Sequence, residues 1–108
     1  MKYKVIFRIE KLELIEKLHR KIKNLRQYMI DEGHDLEIEI VFSGDVVMYF
    51  KGDYSDFIDP DLDVALCNNA LNGHGMKEIY DRNIRTVKAG IGEIIERKKD
   101  GFIEYTIE

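Results

Sequence analysis

The only cysteine, Cys67, stands in the stretch LDVALCNNALNGHGM, residues 62–76, where an apolar run ends and a polar, glycine-containing segment begins. A thiol at the end of a buried strand could act as a nucleophile or carry sulfur, because a helix start that follows it favours the reactive thiolate. Cysteine is also among the most buried residue types and often only fills space. Position alone leaves both interpretations of Cys67 open.

Three neighbours could shape a site around this thiol. Asn68 or Asn69 could cap a following helical turn, whose free N–H groups and dipole would favour a thiolate. His74, in NGHG, could act as the base of a thiol–imidazole pair. A histidine between two glycines is typical of an exposed loop, and we favour that interpretation of His74.

Patterns for metal and cofactor sites are incomplete. One cysteine and three scattered histidines fall short of the four-ligand spacing of zinc sites. Asp59, Asp61 and Asp63 match the first ligands of an EF-hand loop, but Val64 replaces its glycine and Ala70 its bidentate glutamate. The segment GIGEII lacks the third glycine of a dinucleotide-binding turn. We therefore expect no metal and no cofactor.

Strands and helices that could position these residues alternate along the chain. Apolar residues spaced three and four apart from Ile15 to Met29 predict one long helix, which Gly33 ends. The segment VVMYFK after Gly44 fits a short helix or a strand, and a short helix is predicted around Met76 to Tyr80. Predicted strands cover residues 3–9, 35–44, 62–67, 84–90 and 102–107, and a last helix covers 91–99.

This alternation predicts an α/β domain over residues 1–108, a three-layer sandwich with a mostly parallel five-stranded sheet and right-handed crossovers. In such sheets, ligands bind beyond the carboxyl ends of the strands. Those ends are predicted at Glu10, at Ser43 and Gly44, at Cys67, and at Gly90 to Gly92. Gly44 and Gly90 are therefore candidate neighbours of the thiol.

Composition narrows the classes of partner. The net charge is −4, and no basic cluster exists beyond Arg97 to Lys99, so we expect no nucleic-acid partner. No segment approaches the roughly 20 apolar residues of a membrane span. The start, MKYKVIFRIE, is not that of a signal peptide, and a single cysteine fits a reducing cytoplasm. We expect a cytoplasmic protein.

Several segments, in this order, resemble the DsrE/DsrF-like family of small sulfur-relay-like proteins, in a short archaeal and bacterial branch. They are YKVIFRIE, LEIEIVFSGDVV, DVALCNNAL and TVKAGIGEIIERKKDGFIEYTI, and together they span almost the whole chain. The most specific is DVALCNNAL, a strand that ends in cysteine and is followed by polar and small residues. Ser43-Gly44-Asp45 departs from a Gly-Pro-Gly type turn, and the acidic loop 52–63 stands where relatives often have a helix.

The resemblance implies a flavodoxin-like sandwich that assembles as a homotrimer or hexamer. It also implies that Cys67 accepts sulfur as a persulfide and passes it to a partner, as a sulfurtransferase-like relay. A second hypothesis is a non-catalytic, oligomeric module that binds a small metabolite or nucleotide. The aromatic residues Tyr49, Phe50, Tyr54 and Phe57 could line a subunit contact. Alternatively, they pack a loop onto the domain's own core.

Overall fold

The computed structural model describes residues 1–108 as a parallel β-sheet with helices on both faces. The strands are β1 (Lys2–Ile9), β2 (Asp35–Phe42), β3 (Leu62–Cys67), β4 (Ile84–Val87) and β5 (Ile103–Ile107). The α-helices are α1 (Ile15–Asp31), α2 (Asn68–Gly73) and α3 (Gly90–Lys99), and 3₁₀ helices cover Leu12–Leu14, Gly44–Lys51 and Ser55–Phe57. The predicted α/β class with a five-stranded sheet is confirmed.

The order of the strands determines which face each helix covers. The sheet has the order β4-β3-β2-β1-β5, and every neighbouring pair is parallel. From β1 to β4 the chain moves across the sheet in one direction, and the connection from β4 to β5 returns across it. Because parallel crossovers are right-handed, connections running in opposite directions lie on opposite faces. Hence α3 lies alone on one face, and α1 and α2 lie on the other.

The two faces differ greatly in how much apolar surface they bury. On the α1 side, 19 buried residues form one cluster that includes Val5, Phe7 and Ile9, as the alternation in the first strand predicts. On the α3 side, only five buried residues cluster: Ile6, Val41, Ala65, Ile94 and Phe102. The α3 face therefore needs contacts other than apolar packing to hold its helix.

Two predicted local structures differ from those observed. The helix predicted around Met76 to Tyr80 is wrong, because the short helix here is α2, directly after β3. Residues 76–80 are irregular, since the Thr86 hydroxyl bonds both the N–H and the carbonyl of Ile79 at 2.9 Å and holds this segment against β4. The segment after Gly44, left open between helix and strand, is a 3₁₀ helix.

The aromatic residues proposed as a subunit contact pack within the chain instead. Phe50 and Phe57 are buried, and their ring centroids lie 5.0 and 5.1 Å from that of Phe42. Tyr49 and Tyr54 pack against the same core cluster. Phe50 and Phe57 are therefore core residues and cannot line a subunit contact, as the alternative prediction has it, whereas Tyr49 and Tyr54 stay partly exposed and their part in a contact remains a prediction.

Gly44 follows the carboxyl end of β2, and Gly33 follows the end of α1. Comparing them shows how closely the chain approaches itself at Gly44. Gly44 has φ +70°, and a Cβ there would lie 2.8 Å from the Glu10 carbonyl oxygen. Gly33 has nearly the same φ, +72°, but a Cβ would meet nothing within 4 Å. The pair therefore separates the cost of the left-handed conformation from the cost of the contact.

We expect Gly33→Ala to lower the free energy of unfolding by about 1 kcal/mol, the cost of a left-handed alanine. Gly44→Ala should lose clearly more, because the backbone must also move away from Glu10. Urea unfolding of both variants and the wild type measures the difference. Equal losses would contradict the close approach of Gly44 to Glu10.

Candidate functional site

Cys67 is the last residue of β3 and the N-cap residue of α2. Its side chain lies on the α3 side of the sheet, because Ala65, two residues earlier in β3, lies on the same face and belongs to the smaller core cluster. The residue is 7% exposed and forms no disulfide. The thiol is therefore largely shielded, at the carboxyl edge of the sheet.

This edge position coincides with a change in the direction of the chain connections. Cys67 on β3 is paired with Val87 on β4. The chain leaves β3 into α2 on one face of the sheet and leaves β4 into α3 on the other. Crevices that bind ligands in open α/β sheets form where neighbouring strands have connections on opposite faces. Cys67 thus lies at the topological switch point of this sheet.

The first turn of α3 packs directly over the thiol-bearing residue. A Cβ on Gly90 would lie 3.1 Å from Val41 Cγ1, 3.3 Å from Ser43 Cβ and 3.5 Å from Cys67 Cβ. Only glycine allows so close an approach. The ends of β2 and β3 and the start of α3 therefore meet at one point, as expected for Ser43, Cys67 and Gly90. Gly44 is one residue further and contacts Glu10 instead.

The backbone of this first turn offers unused hydrogen-bond donors. The N–H of Glu93 bonds the Ala89 carbonyl at 3.1 Å, and it is the first amide of α3 to bond a residue before the helix. The N–H groups of Gly90, Ile91 and Gly92 donate no hydrogen bond within the chain. Together with the helix dipole, they favour a negative charge beside the start of α3.

The polar residues after Cys67 are arranged differently from the predicted cap. Asn68 and Asn69 are the first residues of α2, and no side chain caps this helix. The Oδ1 atom of Asn68 is buried and accepts no hydrogen bond, whereas Asn69 is exposed. His74 is the C-cap of α2. Cys67 and His74 are therefore separated by the six residues of α2, roughly 9 Å along the helix, and His74 does not reach the thiol.

The largest cavity lies away from these residues. It has a volume of about 670 Å³ and lies between the end of α1 and the start of β2, at the opposite end of the strands. None of the candidate residues lines it. No group of three or more His, Cys, Asp or Glu side chains could hold a metal ion. No helix has the length and apolar character required to cross a bilayer.

Beneath the first turn, an ion cluster attaches α3 to the sheet. Glu39 of β2 is 1% exposed, and its Oε2 lies 3.2 Å from Arg85 Nη2. The same Arg85 nitrogen donates to Glu93 of α3 at 2.7 Å and to Asp63 of β3 at 3.1 Å. Arg97 Nε lies 3.1 Å from Glu93 and 3.2 Å from Glu39 Oε1. Three strands and α3 thus meet in this cluster.

Arg97 approaches Glu39 closely without forming a hydrogen bond. Glu39 Oε1 is buried and accepts no hydrogen bond, although Arg97 Nε is only 3.2 Å away. The positive charge of Arg97 therefore lies close to this oxygen but gives it no hydrogen bond. A buried carboxylate needs both an opposite charge and hydrogen bonds to stay ionised at low cost.

Protonation of Glu39 removes the cost of burying its charge. Burial, followed by the hydrogen bond to Glu93, raises the pKa of Glu39 to about 9. Burial also acts to raise the pKa of Glu93, but hydrogen bonds with Glu39 and Arg85 outweigh it and hold that pKa well below its usual value. At neutral pH, Glu39 is therefore a neutral acid that donates its proton toward an ionised Glu93.

This cluster was not predicted from the sequence. Glu39 alternates with apolar residues in β2, and that alternation is also typical of an exposed strand face. Two signals pointed to pairing: Arg85 stands inside a short strand, and Glu93 and Arg97 form an i,i+4 pair in α3. Only the sheet order shows that these elements are neighbours.

Comparison with known proteins supports the fold. No family model matches the chain, and no curated protein sequence matches it. The fold is similar to the solved structure of MTH1491, a protein of unknown function from Methanobacterium thermoautotrophicum, with a TM-score of 0.74 and 25% sequence identity. The match covers 96% of this chain and 98% of that chain. The whole α/β architecture is therefore shared with that protein.

The raised pKa of Glu39 predicts how stability depends on pH. Between the usual carboxyl pKa of 4.5 and about 9, the folded chain keeps a proton that the unfolded chain releases. This group therefore lowers the free energy of unfolding as pH rises through that range, by up to about 1.4 kcal/mol per pH unit. Glu39→Gln, a neutral isostere, should remove this decrease, so that the variant is more stable than the wild type at pH 9.

Urea unfolding at pH 5, 7 and 9 measures this effect. Glu37→Gln is the matched control, because Glu37 is two residues away on the same strand and pairs with Lys2 at the surface. Glu37→Gln should keep the pH dependence of the wild type. The same dependence in Glu39→Gln would show that Glu39 is ionised in the folded chain.

Proposed function

We propose that the chain is a sulfur carrier in which Cys67 accepts a sulfur atom as a persulfide and passes it to a partner. The observation that carries this proposal is the position of Cys67 at the switch point of the sheet, against the glycine-containing first turn of α3. The free N–H groups of that turn would favour an anionic group beside the start of α3, such as a persulfide anion. The resemblance to the DsrE/DsrF-like family belongs to this proposal.

The transfer requires no oxidant when the donor already contains a sulfane sulfur. The Cys67 thiolate attacks the outer sulfur of a small persulfide, R–S–SH, and the R–S⁻ thiolate leaves. The product is Cys67–S–SH, and the total charge is unchanged. An acceptor thiolate then attacks the outer sulfur of Cys67–S–SH and regenerates the Cys67 thiolate.

Burial limits which donors can take part. With Cys67 only 7% exposed, a bulky protein thiol cannot approach without movement of the chain. Small inorganic or low-molecular-weight persulfides and polysulfides are therefore the proposed donors.

The acceptor must be a different molecule. Cys67 is the only cysteine, so no second thiol of the chain can resolve its persulfide as an internal disulfide. A relay to a small thiol follows, in the cytoplasm, where such thiols are reduced. A partner protein can accept the sulfur only if its binding moves the chain and exposes Cys67. The homotrimer or hexamer that the resemblance implies is part of the same proposal.

Intact-mass analysis tests the loading step. After exposure to a persulfide or polysulfide donor, we expect the folded protein to gain about 32 Da, one sulfur atom, and to lose it again on treatment with a thiol reductant. Cys67→Ser should gain no mass, because serine cannot form the persulfide. A wild-type protein that remains unmodified under conditions that modify the urea-unfolded chain would contradict the proposal.

The first turn of α3 gives a second test, with a matched pair of glycines. Gly90→Ala places a methyl group against Val41, Ser43 and Cys67, whereas a Cβ on Gly92 meets nothing within 4 Å. We expect Gly90→Ala to slow sulfur loading, because its methyl group pushes the first turn of α3 away from Val41, Ser43 and Cys67, and Gly92→Ala to load at the wild-type rate. Time-resolved intact mass compares them. Equal rates for the two variants would show that loading does not depend on the close packing of Gly90 against Cys67.

A second candidate function is the binding of a small ligand without catalysis. The buried Oδ1 of Asn68 lacks a donor and the first amides of α3 lack an acceptor, and a metabolite or nucleotide with both donor and acceptor groups could satisfy both. In that case Cys67 only packs the site. Cys67→Ser would then keep ligand binding, measured by calorimetry with candidate metabolites, whereas the sulfur-carrier proposal requires the thiol.

A further inference from the structure

The two edges of the sheet are protected very differently. β4 forms one edge and β5 the other. The β4 edge is covered by the chain itself, since Asp81 and Ile84 exchange backbone hydrogen bonds of 2.9 and 2.8 Å. The segment 76–80 continues this cover through the bonds between Ile79 and Thr86.

β5 has no such cover. It pairs with β1 on one side only, and its other side presents unpaired backbone N–H and C=O groups to solvent. Proteins normally shield an open edge with charges, proline, a bulge or another segment, because it can pair with a further strand. One face of β5 carries Glu104, whose charge is paired with Lys98 at 3.2 Å, and the other face carries the apolar residues Ile103, Tyr105 and Ile107.

An apolar groove runs alongside this edge. It lies between α1 and β5 and has a volume of about 430 Å³. Three large side chains at its rim are substantially exposed: Tyr28 at 58%, Ile103 at 58% and Tyr105 at 46%. Aromatic residues with a polar end are typical of protein interfaces, because they bury a large area at little entropic cost.

We propose that a second copy of this chain pairs antiparallel with β5 about a two-fold axis at Tyr105, so that two five-stranded sheets become one continuous sheet. Around this axis Tyr105 lies opposite Tyr105 of the second copy, and Ile103 lies opposite Ile107. The apolar faces of the two strands stay on the same side, and Tyr28 of each copy lies at the joined grooves. The surface is self-complementary, as a two-fold contact requires.

The positions of the charged residues favour this register over its neighbours. With Tyr105 on the axis, Glu104 lies opposite Thr106 of the second copy, and no two like charges are directly opposite each other. A shift of the axis to Glu104 would place the two Glu104 side chains against each other. A shift to Thr106 would place Glu104 against Glu108, and directly opposed like charges destabilise strand pairs.

The same register places an acidic residue of one copy on the side of the other copy that holds a basic residue. Glu108 lies opposite Phe102 of the second copy, and within each copy the Lys4 ammonium lies 5.1 Å from the centroid of its own Phe102 ring. The two-fold axis repeats this arrangement at the other end of the contact. Because the apolar groove and these charges match themselves about the axis, the chain itself is the proposed occupant.

The contact is independent of Cys67, because the groove and the strand edge do not include the thiol or the start of α3. A two-fold contact builds a dimer, or joins two trimers into the hexamer that the family resemblance implies. A trimer alone contains no two-fold contact. Failure of sulfur loading would therefore leave this inference intact, and the reverse also holds.

Size-exclusion chromatography with light scattering tests the interface. We expect the wild type at two or six times the chain mass of 12.7 kDa. Tyr105→Lys should halve the assembly, because it places two ammonium groups on the axis. Ile95→Lys is the matched control, since Ile95 is 62% exposed on α3, outside the groove, and should keep the wild-type mass. A wild-type monomer or trimer, or an assembly unchanged by Tyr105→Lys, would overturn the proposal.

Disulfide trapping tests the register even if Tyr105→Lys does not fold. In a Cys67→Ser background, Tyr105→Cys places two cysteines opposite each other at a Cα distance of about 5 Å, which a disulfide can span. Mild oxidation should give a covalent dimer. Ile103→Cys in the same background should not cross-link, because it lies opposite Ile107 rather than itself. Cross-linking at 103 but not at 105 would exclude the proposed axis.

Discussion

The attachment of α3 to the sheet through Glu39, Glu93 and two arginines is the contact on which the candidate site depends. Only five buried apolar residues cluster on this face, so apolar packing alone specifies the position of α3 weakly. The ion cluster supplies the missing specificity, because Arg85 reaches carboxylates from two strands and from α3 at once. Buried charged groups contribute little net stability, yet losing one partner is costly. The cluster therefore fixes where α3 lies more than it stabilises the chain.

That position of α3 has a direct chemical consequence at the carboxyl edge. Gly90 lies one turn before Glu93, so the attachment of Glu93 holds the first turn over Cys67. The thiol beneath it is then hardly reached by solvent. In the proposed sulfur carrier, this shielding would protect a persulfide on Cys67 from competing thiols until an acceptor reaches it.

The sequence was sufficient for the fold class, since apolar periodicity changes clearly between strands and helices, and it placed Cys67 at the end of β3. It also indicated the meeting of Ser43, Cys67 and Gly90, because parallel strands share one carboxyl edge. The switch point and the ion cluster could not be read from periodicity, since both depend on which strands are neighbours. Short segments were the least predictable. No helix forms near Met76, because hydrogen bonds between Ile79 and Thr86 hold this segment against β4.

The central claim is that the surroundings of Cys67 activate its thiol despite burial. The most direct test compares the rate at which iodoacetamide, a small uncharged reagent, alkylates Cys67 in the folded protein and in the urea-unfolded chain at the same neutral pH. The account predicts that the folded protein reacts at least as fast, because a sulfur-carrying thiol must be nucleophilic and within reach of small reagents. A folded protein that stays unmodified while the unfolded chain is consumed would contradict the account and leave Cys67 as a packing residue.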